Sequence, residues 1–148
     1  MMQMVGTRTT RKVLTIGVLL VATASVFTAC SPRDPHVQSA YMLNTERMSR
    51  NITPLKWDDE LARKATAWAQ QMAATGQLAH SQLTANVSPG WRTLGENVGA
   101  GASVAEVHNG FMNSPEHRRA ILSRGYSAMG IGVAEVGGTY WVVQVFKS

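Results

Sequence analysis

The sequence predicts an α+β fold with an antiparallel C-terminal hairpin, its sheet held between helical layers. Two observations carry this. Apolar residues recur at helical spacing across residues 37–72 and 104–122, whereas residues 128–136 and 139–146 turn to runs of β-branched and aromatic side chains. Between those runs stands Gly137-Gly138, a pair suited to the left-handed backbone of a two-residue hairpin turn.

Residues 1–29 stand apart from that fold. Arg8, Arg11 and Lys12 precede residues 13–27, which are apolar or small throughout, and this is the pattern of a signal peptide. The run falls short of the roughly 20 residues that span a bilayer as a helix. It ends in Phe27-Thr28-Ala29-Cys30, and Cys30 is the only cysteine, so no disulfide forms within one chain. Ordinary signal peptidase wants a small residue where Phe27 stands. An apolar residue, two small ones and a cysteine resemble instead the site at which a bacterial lipoprotein takes its lipid, although leucine is usual at the Phe27 position. Lipidation of Cys30 and anchoring to a bacterial membrane are therefore expected; a cut near Ser25 would leave a free thiol.

Without the leader, Lys plus Arg falls from 14 to 11 against 9 Asp plus Glu, so the net charge drops from +5 to +2. The remaining charges are mixed in sign, with no basic stripe interleaved with aromatics, and nucleic acid is not an expected partner. Residues 30–36 read as the lipidated cysteine and a short polar tether, and residues 37–148 as one domain large enough to bury a core.

Within that domain, Val37, Tyr41, Asn44 and Met48 recur at helical spacing and predict a first helix ending near Asn51. Pro54 disfavours a helical Thr53, so residues 52–57 read as an extended connection. Asp58 is placed to cap a second helix, with acids in its first turn, Gly76 past its end, and Leu61, Ala65, Trp68 and Met72 as its buried stripe. Residues 78–93 show no periodicity and read as a long loop. Residues 94–101 are a short strand or turn. Val104, Val107 and Phe111 mark a third helix and residues 114–122 a fourth.

Several chemistries lack support. The stretch 99–103, "GAGAS", has neither the spacing of a dinucleotide fingerprint nor the ending of a P-loop, and reads as a flexible turn. There is no zinc-protease helix motif, cysteine ligand set or nucleophile elbow. Asn51-Ile52-Thr53 matches a glycosylation acceptor, which a bacterial leader makes irrelevant. The eight methionines form no cluster suggesting copper.

What remains is a scattered set: His80, Glu96, His108, Glu116 and His117. Imidazoles and carboxylates bind divalent cations or move protons near neutral pH. Each also has a simpler role. Glu96 could brace a loop through hydrogen bonds. His108 falls on the apolar side of the third helix, where a hydrogen-bonded, partly buried histidine is the ordinary case. Glu116 suits the positive end of the fourth helix. His117 lies near that same end, behind Ser114 as N-cap and Pro115, in a field that favours the neutral imidazole.

The order of short stretches resembles the bacterial branch of the CAP superfamily, which also holds cysteine-rich secretory proteins, venom antigens and plant pathogenesis-related proteins. The resemblance rests on residues 43–81, "GENV" at 95–98, "FMNSPEHRRAIL" at 111–122, "GIGVAE" at 130–135 and "YWVVQVF" at 140–146. It implies a three-layer α-β-α sandwich with a mostly antiparallel sheet and a cleft carrying two histidines and two acids. Some members hold a divalent cation there, zinc or magnesium. His80 matches the first histidine, Glu96 the first acid and His117 the second histidine. The second acid falls near Gly110, where this sequence has no carboxylate; Glu106 and Glu116 are the nearby candidates. The function implied is an extracytoplasmic, membrane-anchored module that binds a small apolar, lipid or peptide ligand. The alternative is a metal-assisted hydrolase in which His80 and His117 hold the metal and Glu96 serves as ligand or base.

Overall fold

The computed structural model describes residues 33–148, so the leader, Cys30 and the first tether residues lie outside the described residues. Helix α1 spans Pro35–Met48. It is followed by β1 at Lys56–Trp57, α2 at Asp59–Thr75, β2 at Leu94–Gly101, α3 at Val104–Asn113, α4 at Pro115–Ile121, β3 at Ala128–Val136 and β4 at Thr139–Lys147. The strands make one sheet in the order β1-β3-β4-β2, in which β1 runs parallel to β3 and the other pairs are antiparallel. This is the mixed α+β architecture expected, and β2 is an edge strand.

Side-chain alternation sorts the sheet into two faces. Met129, Ile131 and Val133 of β3 and Val142 and Phe146 of β4 share one core with Leu43, Val107, Phe111 and Ile121 from α1, α3 and α4. Val143 and Val145 of β4 and Val98 of β2 pack instead with Leu61, Ala65, Ala69 and Met72 of α2. On that second face β3 presents Gly130 and Gly132. A Cβ on Gly132 would stand 2.0 Å from the backbone carbon of Ala65, and one on Gly130 2.1 Å from the nitrogen of Ala62. Helix α2 therefore lies directly on the backbone of β3, closer than any side chain permits.

Local signals explain the boundaries. Asp58 accepts from the Leu61 N–H and starts α2, and Gly76, at φ 66°, ends it. Ser103 accepts from the Glu106 N–H and starts α3. Gly137 and Gly138, at φ 60° and 77°, close the β3–β4 hairpin.

Three expectations are corrected. Pro35 and His36 belong to α1 rather than to the tether, because Asp34 caps that helix through the N–H groups of His36 and Val37. The buried face of α1 is Ser39, Leu43 and Arg47, while Val37, Tyr41 and Met48 point outward. Residues 99–101 are not a flexible turn; they continue β2, paired with Val142, Trp141 and Tyr140. Cβ atoms at Gly99 would stand 2.8 Å from both Phe111 and Val107, so the glycine lets α3 seat against the strand.

Arg47 explains why the inner face of α1 is polar. Its side chain is 1 % exposed, and its guanidinium donates to the carbonyls of Thr53, Ile121 and Ser123 at 2.9, 2.7 and 2.8 Å. Asn44 adds a two-way bond to the backbone of Leu55. Together they fix the 49–55 turn and the end of α4 against one helix.

Candidate functional site

The site gathers at the open edge of β2. Register places Glu96 opposite Val145 and Asn97 opposite Gln144, so successive residues of β2 point to opposite faces of the sheet. Glu96 points to the α2 face. There it meets the start of the long loop: Oε1 accepts from His80 Nδ1 at 2.9 Å and from the Ser81 N–H at 2.8 Å, and Oε2 accepts from the Ser81 hydroxyl at 2.6 Å. The carboxylate is 3 % exposed and His80 is 61 % exposed. Glu96 braces the loop, as the simpler of its two readings has it, and in doing so it also holds the His80 imidazole through Nδ1.

Lys64 secures the same loop further on. Its ammonium, on an almost fully buried side chain, donates to the carbonyls of Gln82 and Ala85 at 2.9 and 3.0 Å. Burial pushes its pKa down, against a partial pull upward from Glu96.

His117 comes from the other face. Asn97 donates to the His117 carbonyl at 3.2 Å and to Gln144 Oε1 at 3.1 Å, which ties the start of α4 to the centre of the sheet. The His117 ring lies against Phe111, with centroids 5.1 Å apart. Burial lowers its pKa, the charge of His80 lowers it further, and Glu116 opposes both. The neutral imidazole expected at this position is thus favoured by burial first. Ser114 occupies the N-cap position without making a side-chain capping bond.

Beside His117 opens a cleft of about 550 Å³. Val98, Gly99 and Ala100 of β2 form one wall, Val107, Gly110 and Phe111 of α3 another, and Leu78 a third, with Glu106 and His117 among the few ionisable groups in reach. Glu106 is partly engaged, accepting from the Ala102 N–H at 2.9 Å. A Cβ on Gly110 would meet nothing within 4 Å, so the position matching the second acid is open space.

His80 and Glu96, expected in the ligand cleft, are not among the residues that line it, because Glu96 points to the α2 face; the remaining candidates also lie elsewhere. Glu116 is exposed and does not line the cleft. His108 is turned away from it, into the contact between α3 and α1, because it follows Val104 and Val107 on the buried face. It is 4 % exposed, its Nε2 stands 3.9 Å from Glu46 Oε1, and its Nδ1 has no partner. It is more deeply buried, and less well bonded, than the ordinary case expected.

The donors do not amount to a metal site by themselves. Both Glu96 oxygens are engaged by the loop, and among the described residues no group of three His, Cys, Asp or Glu side chains stands together. Two imidazoles approaching around a strand edge fall short of the three protein ligands of a catalytic zinc. Nor does Ser81 form a nucleophile pair, since its hydroxyl is bonded to Glu96 rather than to an imidazole. Sequence reasoning missed Leu78, Asn97 and the place of Gly99 in the cleft; the alternation of β2 was the signal for Asn97, while Leu78 lies in a loop without periodicity.

Residues 40–146 match the family model described as CAP, the cysteine-rich secretory protein family. The chain is 31 % identical over 113 residues to the uncharacterised protein YkwD of Bacillus subtilis, a match covering 70 % of this chain and 43 % of YkwD. This chain thus spans less than half the length of that relative. Among solved structures, it resembles an extracellular protein containing an SCP domain from Bacillus anthracis, with TM-score 0.67 and 23 % identity over 76 % of this chain and 40 % of that one. It also resembles an outer surface protein of Borrelia burgdorferi, with TM-score 0.66 and 17 % identity over 78 % and 93 % of the two chains. With its cleft walled by the edge strand, α3 and α4, the chain belongs to the CAP family of cysteine-rich secretory proteins.

Proposed function

We propose that this protein is an extracytoplasmic CAP-domain binding module, anchored by a lipid on Cys30, whose cleft takes a small apolar, lipid or peptide ligand. The observation that carries this is the cleft itself: about 550 Å³, walled mainly by Leu78, Val98, Val107 and Phe111, with His117 and Glu106 as its ionisable groups. Apolar walls with a few placed polar groups are what a small-ligand site needs. The extracellular and outer-surface descriptions of the structural relatives support the location. Among the described residues no helix is long and apolar enough to cross a membrane, so attachment in this reading falls to the residues before them.

The test is titration of the full chain with a fluorescent long-chain fatty acid. Gly110→Phe, which places a ring in the open part of the cleft, is expected to weaken binding at least tenfold, about 1.4 kcal/mol. Absence of binding by the parent chain, or equal binding by the variant, overturns the reading.

Hydrolysis is a second reading, favoured by the His80–Glu96 pair. A carboxylate on Nδ1 leaves Nε2 of an exposed imidazole able to accept a proton from water. His80→Ala/His117→Ala would then abolish peptide cleavage by the purified chain.

A further inference from the structure

The exposed positions of α1 fall on one line: Val37, Tyr41, Thr45 and Met48, spaced by four, four and three residues. Three of the four are large and apolar, 50, 55 and 52 % exposed. A surface helix ordinarily reverses this, with its apolar stripe inward. Here the inward face is Ser39, Leu43 and Arg47.

We propose that α1 lies on the bilayer, with Val37, Tyr41 and Met48 turned into the boundary between headgroups and acyl chains, so that the anchored domain is held in one orientation. This rests on the lipid-anchor reading above. Four residues, 31–34, separate Cys30 from Pro35, a reach of about 18 Å at full extension. The helix itself is about 21 Å long. A lipid on Cys30 therefore keeps the start of α1 within reach of the membrane surface and makes docking of the helix an intramolecular event, for which a modest apolar stripe suffices.

The chemistry of the helix fits that occupant. No charged side chain stands on the stripe, and the Glu46 carboxylate is tied to Arg50. Arg33 sits just before the start of α1, exposed, where a long cationic side chain reaches phosphates. Tyr41 combines an apolar ring with a hydroxyl suited to the interface. A second copy is a poorer occupant: three half-exposed side chains supply far less than the roughly 800 Å² per partner of a stable interface. The leader is removed from the mature chain under the same reading.

The experiment uses the mature full chain in vesicles of phosphatidylethanolamine and phosphatidylglycerol. Because lipid blocks Cys30, Thr45→Cys or Gln70→Cys supplies the only free thiol for an environment-sensitive fluorophore; Gln70 is exposed on α2, across the sheet. Nitroxide lipids are expected to quench the label at position 45 at least threefold more than that at 70. Adding Tyr41→Ser/Met48→Ser should bring the two to the same level. Equal quenching on a chain whose mass confirms the lipid overturns the docking and leaves the anchor intact. A mature chain without lipid on Cys30 overturns both.

Discussion

His108 carries a polar atom that folding leaves without a partner. Its Nδ1 is buried and unbonded, and its Nε2 is too far from Glu46 for a good hydrogen bond. Burial holds its pKa below the ordinary 6.5, with Glu46 pulling weakly upward, and burial does the same at His117. The sign follows from linkage: as pH falls below 6.5, histidines of the unfolded chain take up protons that these two resist, so stability is full above that value and declines below it. His108→Leu is expected to stabilise the protein by about 1 kcal/mol at pH 7 by removing the orphaned nitrogen. It should also flatten the loss between pH 7 and 5, as urea unfolding across that range would register. Arg47 is the opposite case, a buried cation bonded to three carbonyls. Arg47→Met leaves three carbonyls facing an apolar stem and is expected to cost roughly 3 kcal/mol in urea unfolding.

Helix α2 and strand β3 form the tightest pair of elements, and two glycines make it so. Gly132→Ala drives a methyl group into the backbone of Ala65 and is expected to destabilise by about 3 kcal/mol. Gly110→Ala, facing open space within α3, should instead gain about 0.5–1 kcal/mol; thermal unfolding of the two separates them. The caps of α2, the β3–β4 hairpin and the α4 start were legible because each depends on a few adjacent residues: Asp58, Gly76, Gly137-Gly138 and Pro115; the Ser103 cap of α3 was not read. The orientation of α1 was not. The polarity of Ser39 and Arg47 gives no sign that they face inward, and only carbonyls contributed from residues 53, 121 and 123 make the Arg47 position an interior one. The strand at 94–101 was legible only as one of two options and its last three residues also read as a flexible turn, since its glycines answer to Phe111 and Val107 rather than to a turn. The pairing of His80 with Glu96 depends on a loop with no period, so the sequence suggests its members and only the resemblance joins them.

At the scale of the molecule, the candidate site is an edge with contributions from both faces of the sheet. His80 and Glu96 stand on the α2 side, His117 on the side of α3 and α4, and Gly110 leaves a gap where a further carboxylate fits. Gly110→Glu is expected to raise zinc affinity at least tenfold over the parent chain, followed by NMR shifts of the His80 and His117 rings; unchanged affinity would show that the gap is not the missing donor position. The long reach of Arg47 bears on how such a chain gets made. In a protein that crosses a membrane as an extended thread, N-terminus first, α1 emerges while the carbonyls of Ile121 and Ser123, 74 and 76 positions further along, are still inside. Until they arrive, the guanidinium stays with water, because burying it unpaired would be far more costly. The first helix out is then among the last to seat, and the passage ends before the knot is tied.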